Sequence, residues 1–289
     1  MFLSANRRKH MQANEKKRLA KIANEIRQGA VTGVYHAKAG HPGGSLSIAD
    51  TLSYLYFKEM KVDPQNPKWE ERDRFVLSKG HTCPGLYAAL AERGFFPKEE
   101  LLQLRHLGAL LQGHPDMKHI PGIDMTTGSL GQGISAAVGM ALCGKLYQKD
   151  YRVFVVLGDG ECEEGQVWEA AMLAGNRGLD NLIAVVDYNN LQIDGTLEEV
   201  NSPMPIDEKF AAFGWNVFLA DAHDFDSLEA AFEGAKASKK PAVVVQKSVK
   251  GKGVSFMENN AGWHGKAPND KEYEQAMQEL RAAAASLEG

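Results

Sequence analysis

The chain has 289 residues, 44% hydrophobic and 24% charged, with a formal net charge of −4 and three cysteines. This balance suits a soluble globular enzyme and gives no reason to expect nucleic acid or a membrane surface as partner; no apolar run approaches the ~20 residues that a bilayer span needs. Cys83, Cys143 and Cys162 are odd in number and lack metal-site spacing, which argues against a disulfide framework and for a reducing, cytoplasmic setting.

The first 14 residues contain Arg7-Arg8-Lys9 and no signal-peptide pattern, and read as a flexible, solvated start. Residues 15–289 show no repeat and no low-complexity linker, so a single domain is expected. Apolar positions Leu19, Ile22, Ala23, Ile26, Ala30 and Val34 recur at helical spacing over about 15–38. The run Ala39-Gly40-His41-Pro42-Gly43-Gly44 breaks that helix, and Ser47 reads as the N-cap of the next, reaching about Met60. A short buried strand over 74–78 ends at Lys79-Gly80-His81, and Pro84 opens a helix to about Arg93. Residues 106–131 are rich in Gly, Pro, His and Thr without periodicity, which predicts a long loop of the kind that is usually functional.

From there helix and strand alternate: helix 132–147, strand 153–157, helix 165–177, strand 181–187, helix 205–213, strand 215–219, helix 227–236 and strand 242–247. Such alternation predicts an α/β fold, a mainly parallel sheet with helices on both faces. A glycine- and histidine-bearing loop over 251–266 and a polar, Ala-rich helix over 270–287 complete the chain.

Two strand ends carry the chemistry. One apolar run ends in Gly158-Asp159-Gly160, the next in Asp187-Tyr188-Asn189-Asn190. Carboxyl ends of parallel strands are where ligands bind in open sheets. Asp159 and Asn189 offer two hard oxygens to one divalent cation, and Mg²⁺ favours such ligands when it also holds phosphate oxygens. The glycines let backbone approach a diphosphate, with the following helix start supplying amide hydrogens.

Five histidines sit in loops: His41, His81, His114, His119 and His264. Taken singly, a loop histidine is more often a surface residue. Four at successive element ends can move protons and donate to substrate hydroxyls, while His119 is read as surface. Gly131, Gly133 and Ala136 make a GxGxxA pattern, but no strand precedes it, so a glycine-bordered turn against a flat heterocycle is the better reading. Glu163, Glu164 and Glu169 suit a helix N-terminus; a functional role for Glu164 and Glu169 requires burial at an interface. Cys162 follows the GDG turn, where a thiolate could be favoured, though a small tolerated neighbour is the simpler reading.

GDG followed about thirty residues later by NN is similar to the thiamine diphosphate fingerprint. AGHPGGSLS, LSKGH, QGHPD, TTGSLGQG and WHG, in that order from about Gly29 to Gly265, resemble transketolase. The resemblance implies thiamine diphosphate and Mg²⁺ as cofactors, with Ca²⁺ or Mn²⁺ as possible substitutes. It implies metal ligands at Asp159, Asn189 and the Leu191 carbonyl. Gly158, Gly160 and Glu161 then fall at the diphosphate turn, and Gly128, Ser129 and Leu130 beside the cofactor rings. His81 and His264 match histidines near the diphosphate and reacting carbon, His41 and His114 those that hold donor hydroxyls and aid proton transfer. Glu164 and Glu169 match carboxylates between cofactor sites.

A full-length transketolase is about twice as long, and its later pyrimidine-binding domain supplies the glutamate that activates the cofactor. The chain therefore resembles the N-terminal half of a split transketolase. The implied enzyme joins two copies of this chain to two of a C-terminal partner subunit in the cytoplasm, and moves a two-carbon ketol unit from a ketose, free or phosphorylated, to an aldose. Alternatives left open are a 2-oxo acid dehydrogenase α subunit, a deoxyxylulose-phosphate synthase-like enzyme, and a catalytically silent assembly subunit.

Overall fold

A computed structural model describes residues 11–287; the Arg7-Arg8-Lys9 cluster lies outside them. Five strands form one wholly parallel sheet: β1 (Arg74–Leu77), β2 (Val153–Gly158), β3 (Leu182–Tyr188), β6 (Asn216–Asp221) and β7 (Ala242–Lys247). Their spatial order is β1-β2-β3-β7-β6. A separate antiparallel ribbon pairs β4 (Leu191–Gln192) with β5 (Gly195–Thr196), too short to show as periodicity in the sequence, and runs straight into the one-turn helix α7 (Leu197–Val200).

Alternation along the strands explains the layers. Val153, Val155 and Leu157 join a core with Ile134, Ala137 and Ala141 of α5 (Gln132–Leu146), Val167 and Ala171 of α6 (Gly165–Asn176), and Phe210 of α8 (Ile206–Ala212). Phe154 and Val156 point the other way, into the core that holds Ile26 of α1 (Ala13–Ala37), Leu52 of α3 (Ala49–Tyr54), Leu90 of α4 (Cys83–Arg93) and Phe232 of α9 (Phe225–Ala237). Period-two side chains on a strand buried on both faces read as a continuous apolar run, which is how 153–157 reads. A third cluster joins Val31 and Leu46 to Val254, Met257, Trp263, Met277 and Leu280, clamping the 251–266 loop between α1 and α10 (Asp270–Ser286).

The expected elements are present, with three differences. The first helix begins at Ala13, and Met11 is buried with its N–H on Asp226 at 2.8 Å. Residues 11–14 thus belong to the fold rather than to a flexible start. The GHPGG segment does not hold two helices apart: α2 (Pro42–Ser47) starts directly after His41 because proline is tolerated at the first helical position. Ser47 is consequently no N-cap; its hydroxyl donates to Gly44 O and to Asp187 Oδ2. After α3 a π-helical turn (Leu55–Glu59) closes that region. No helix among the described residues is long and apolar enough to cross a membrane.

Candidate functional site at the carboxyl edge of the sheet

Register brings the two strand ends together. Gly158 pairs with Asp187 across β2 and β3, so Asp159 and Asn189 emerge side by side. Asp159 is 2% exposed. Its Oδ1 accepts the Gly160 N–H at 2.9 Å, and its Oδ2 accepts those of Asn189 at 2.8 Å and Asn190 at 2.6 Å. Asn190 reaches this geometry through a left-handed backbone, φ 62°, which Asn tolerates better than most residues. Burial, reinforced by nearby Asp187, still raises the Asp159 pKa to about 6. The carboxylate is held in place but short of positive charge.

Asn189 is fixed by its neighbours: its amide donates to Asp187 Oδ2 at 3.1 Å, and its Oδ1 accepts the Leu191 N–H at 3.1 Å. Asp187 is fully buried and also accepts from Lys79 Nζ at 2.6 Å, Ser47 Oγ at 2.7 Å and Ser248 Oγ at 2.5 Å. Burial alone would raise its pKa, but the Lys79 ammonium overrides that and holds it low. Lys250, also buried, donates to the Leu191 carbonyl at 2.9 Å and to His264 Nδ1 at 2.9 Å. Burial lowers Lys250 to about 8, with Asp159 pulling in the opposite direction.

Three imidazoles form a triangle. The rings of His41 and His81, His41 and His264, and His81 and His264 lie 5.0, 5.4 and 5.1 Å apart. Burial, with the cations around them, depresses His41 to about 4 and His264 to about 3, and lowers His81 strongly. All three are neutral at pH 7. His264 accepts at Nδ1 and therefore carries its proton on Nε2; His41 Nδ1 is buried without a partner. His114 stands apart from the triangle, its ring against Gly128, where an added Cβ would meet it at 3.1 Å.

Asp159, Gly158, Gly160, Glu161, Asn189, Leu191, Lys79, Lys250, His81, His264, Gly128 and Leu130 line a cleft of about 300 Å³; His41 stands behind His81 and His264, and His114 behind Gly128. The glycines are needed where the backbone is strained or crowded: Gly128 has φ 155°, and a Cβ on Gly44 would lie 2.6 Å from Thr82 Cγ2. Among the described residues no group of three or more His, Cys, Asp or Glu side chains could hold a metal. A cation here would meet one carboxylate, one amide oxygen and one carbonyl.

The other residues singled out in the sequence have partners or surroundings of their own. The Glu161 side chain turns inward, accepting from Ser78 Oγ at 2.5 Å, Gly131 N at 2.9 Å and Gly158 N at 2.9 Å, and so ties β1, the loop before α5 and β2 together. Ser129 precedes Leu130 on that loop, and its carbonyl accepts the Gln132 N–H at the start of α5. Glu163 is taken up by Gln192 of the short ribbon. Glu164 and Glu169 are exposed on this chain, and the neighbouring α5–α6 surface shows Leu146 at 74% and Met172 at 53% exposure. Cys162 is wholly buried, with burial raising its pKa and its thiol donating toward Gly158 O, so no thiolate is favoured. His119 is exposed and bonded to Asp116. No strand precedes Gly131, which is the left-handed entry residue of α5, and Gly133 and Ala136 lie within that helix.

Sequence reasoning assigned no role to Lys79, Lys250 or Asp187. The available signal was position: all three lie at or just beyond the carboxyl ends of strands β1, β7 and β3.

Residues 18–286 match the family described as transketolase, thiamine diphosphate binding domain. The chain is 49% identical over 259 residues to the 6-deoxy-6-sulfo-D-fructose transketolase subunit of Clostridium sp. (strain MSTE9), covering 89% of this chain and 94% of that protein. It is 43% identical over 256 residues to an apulose-4-phosphate transketolase subunit of Phocaeicola vulgatus, covering 88% and 91%. Among solved structures, the transketolase of Pichia stipitis in complex with sedoheptulose 7-phosphate superposes with a TM-score of 0.87 at 33% identity, over 94% of this chain and 43% of that one. The Campylobacter jejuni transketolase gives 0.85 at 30% identity, over 96% and 46%. The chain thus spans under half the length of the transketolases of known structure that it matches.

Proposed function

This chain belongs to the transketolase family, as its thiamine diphosphate binding domain, and on that premise we propose that it is the cofactor-binding subunit of a two-chain transketolase. With a separate C-terminal subunit, two of each chain, it transfers a two-carbon ketol unit from a ketose to an aldose. Sugars and sugar phosphates are its substrates, and neither nucleic acid nor membrane is a partner. The carrying observation is the convergence of Asp159, Asn189, Leu191, Lys79 and Lys250 in one cleft with neutral His81 and His264, against which His41 completes a triangle. Two relatives of nearly the same length are named subunits, which supports the two-chain reading. The three free cysteines support the cytoplasm as its compartment. Residues 15–289 are read as one domain built around a single main sheet.

The site fits the group. Asp159 is buried with no cation of its own within hydrogen-bonding distance, and its raised pKa is what a divalent ion would reverse. Asn189 Oδ1 and the Leu191 carbonyl supply further hard oxygens, which leaves phosphate oxygens to complete an Mg²⁺ shell; Ca²⁺ or Mn²⁺ can substitute. Lys250 would hold the diphosphate where Gly158, Gly160 and the backbone of Glu161 leave room for its approach, and Gly128, Ser129 and Leu130 would lie against the rings. When bound, thiamine diphosphate supplies the nucleophilic carbon and the electron sink for carbon–carbon cleavage.

The chain's own residues bind, orient and move protons. Neutral His41, His81 and His264 can donate to or accept from a ketose hydroxyl and its carbonyl oxygen without first losing a proton to water. His264 is oriented by Lys250, and its Nε2–H is free to donate. His114, on the loop beside Gly128, closes the substrate side and holds a donor hydroxyl. Glu164 and Glu169 lie on the face where a second chain would bury them.

The family match and the named relatives favour this reading over a 2-oxo acid dehydrogenase subunit or a deoxyxylulose-phosphate synthase. The intact cleft argues against a silent assembly subunit. The test is an assay of the purified chain with thiamine diphosphate, Mg²⁺, ketose and aldose, alone and with a pyrimidine-binding partner subunit. Turnover is expected only with the partner; robust turnover by the chain alone would overturn the two-chain reading.

A further inference from the structure

The loop that carries His114 also holds a cation that the cofactor cleft does not use. Arg105 adopts a left-handed backbone, φ 64°, and its N–H closes a turn onto Leu111 O at 2.8 Å. That conformation is unfavourable for a non-glycine residue and is kept here by the turn. Its side chain is held as well. A Cβ added to Gly113 would lie 2.9 Å from Arg105 Cζ and Nη2 and 3.0 Å from Nε, so the guanidinium rests against the backbone of the residue preceding His114. His114 in turn abuts Gly128, a wall of the cleft.

Among the described residues no carboxylate pairs with Arg105, which is exposed. Its charge is nevertheless felt in the site: after burial, Arg105 is the foremost influence lowering both His41 and His114. The other two site cations already have partners, Lys79 in Asp187 and Lys250 in Leu191 O and His264. A sugar held between His41 and His114 would thus lie within the electrostatic reach of this guanidinium.

We propose that Arg105 is a specificity residue that pairs with the terminal tetrahedral oxyanion, phosphate or sulfonate, of the sugar substrate. A guanidinium fork engages two oxygens of such a group, and Arg rather than Lys is suited to it. The pre-set backbone and the Gly113 platform reduce the ordering cost of that contact. The proposal rests on the ketol-transfer reading, and it places part of the recognition of the substrate's charged end on this chain.

The test compares three donors in the complex with the partner subunit: a ketose phosphate, a ketose sulfonate and an uncharged ketose. Arg105→Ala should lower kcat/KM for the anionic donors at least about tenfold more than for the uncharged one, chiefly through KM, and Arg105→Lys should regain part of the loss. The preference of the wild-type complex between phosphate and sulfonate identifies the anion. Equal losses on all three donors would overturn the proposal, assigning Arg105 to loop geometry or to a partner carboxylate. A second arm uses the chain alone, following the His114 ring resonances by NMR as inorganic phosphate or sulfate is added. A shift in wild type that is absent in Arg105→Ala supports the site, and no shift in wild type overturns it. Should the wild-type complex turn over no ketose, the ketol-transfer reading fails by itself while the anion arm still decides Arg105.

Discussion

Asp159 organises Asn189 before any ligand arrives: its Oδ2 accepts the Asn189 N–H at 2.8 Å, with the Asn190 N–H at 2.6 Å on the same oxygen. One carboxylate therefore closes the turn that aims the amide and would also be the one charged ligand of the proposed cation. Ligand position and ligand charge cannot be separated at this residue, so removing it damages both.

Asp159→Ala should abolish retention of thiamine diphosphate in the presence of Mg²⁺, weakening it by more than the ~10–100-fold typical of residues that only support a metal ligand. Calorimetric titration of the chain measures this. Equal affinity in wild type and variant would contradict the metal assignment.

Glu161→Ala leaves the N–H groups of Gly131 and Gly158 without their acceptor in a buried place. Losing acceptors for buried donors costs about 1–3 kcal/mol each, so the variant should unfold at markedly lower denaturant. Glu161→Gln keeps one good acceptor oxygen and should recover part of the loss. A variant as stable as wild type would show that Glu161 is not the strut between β1, β2 and the α5 loop.

The cofactor-free chain should be acid-labile within a defined window. His41 at about 4 and His264 at about 3 bind fewer protons in the folded chain than in the unfolded one, where imidazole titrates near 6.5. Stability therefore rises with pH across this window, and is lost as pH falls from about 6.5 toward about 4. Thermal unfolding between pH 7 and 5 should show a falling Tm, with a flatter profile in the His41→Asn, His264→Asn double variant. Parallel profiles would remove these two imidazoles from the explanation.

His114→Ala should spare cofactor binding while slowing the complex with the partner subunit. His114 stands outside the triangle and outside the set that faces Asp159, so its loss removes substrate positioning and a proton path, an effect on the order of 10²-fold in kcat. Cofactor affinity falling as far as turnover would place His114 in cofactor binding instead.

The sequence carried the sheet well because buried parallel strands announce themselves as short apolar runs, and the strand ends at Asp159 and Asn189 followed from that. One local reading failed and one partner set went unseen, both for local reasons. Ser47 looked like a cap because Gly43-Gly44 looked like a break, whereas those glycines let α2 pass close to Trp263 and Thr82. Glu161 stands in the turn after Asp159, and nothing near it in sequence announced that its side chain satisfies three donors from three separate segments. Such partners are distant in sequence and leave no periodic trace.

What the sequence determined by itself was the set of reactive groups and their order along the chain: a carboxylate and an amide at successive strand ends, and four glycine-flanked histidines. Periodicity and turn chemistry suffice for that, since both are properties of neighbouring residues. What the tertiary structure decided was protonation and pairing. Lys79 joined Asp187, Lys250 joined Leu191 and His264, three imidazoles from distant loops were buried to neutrality, and Arg105 was left without a carboxylate among the described residues. Desolvation and charge pairing depend on which segments meet in space, and only the packed sheet with its three cores fixes those meetings.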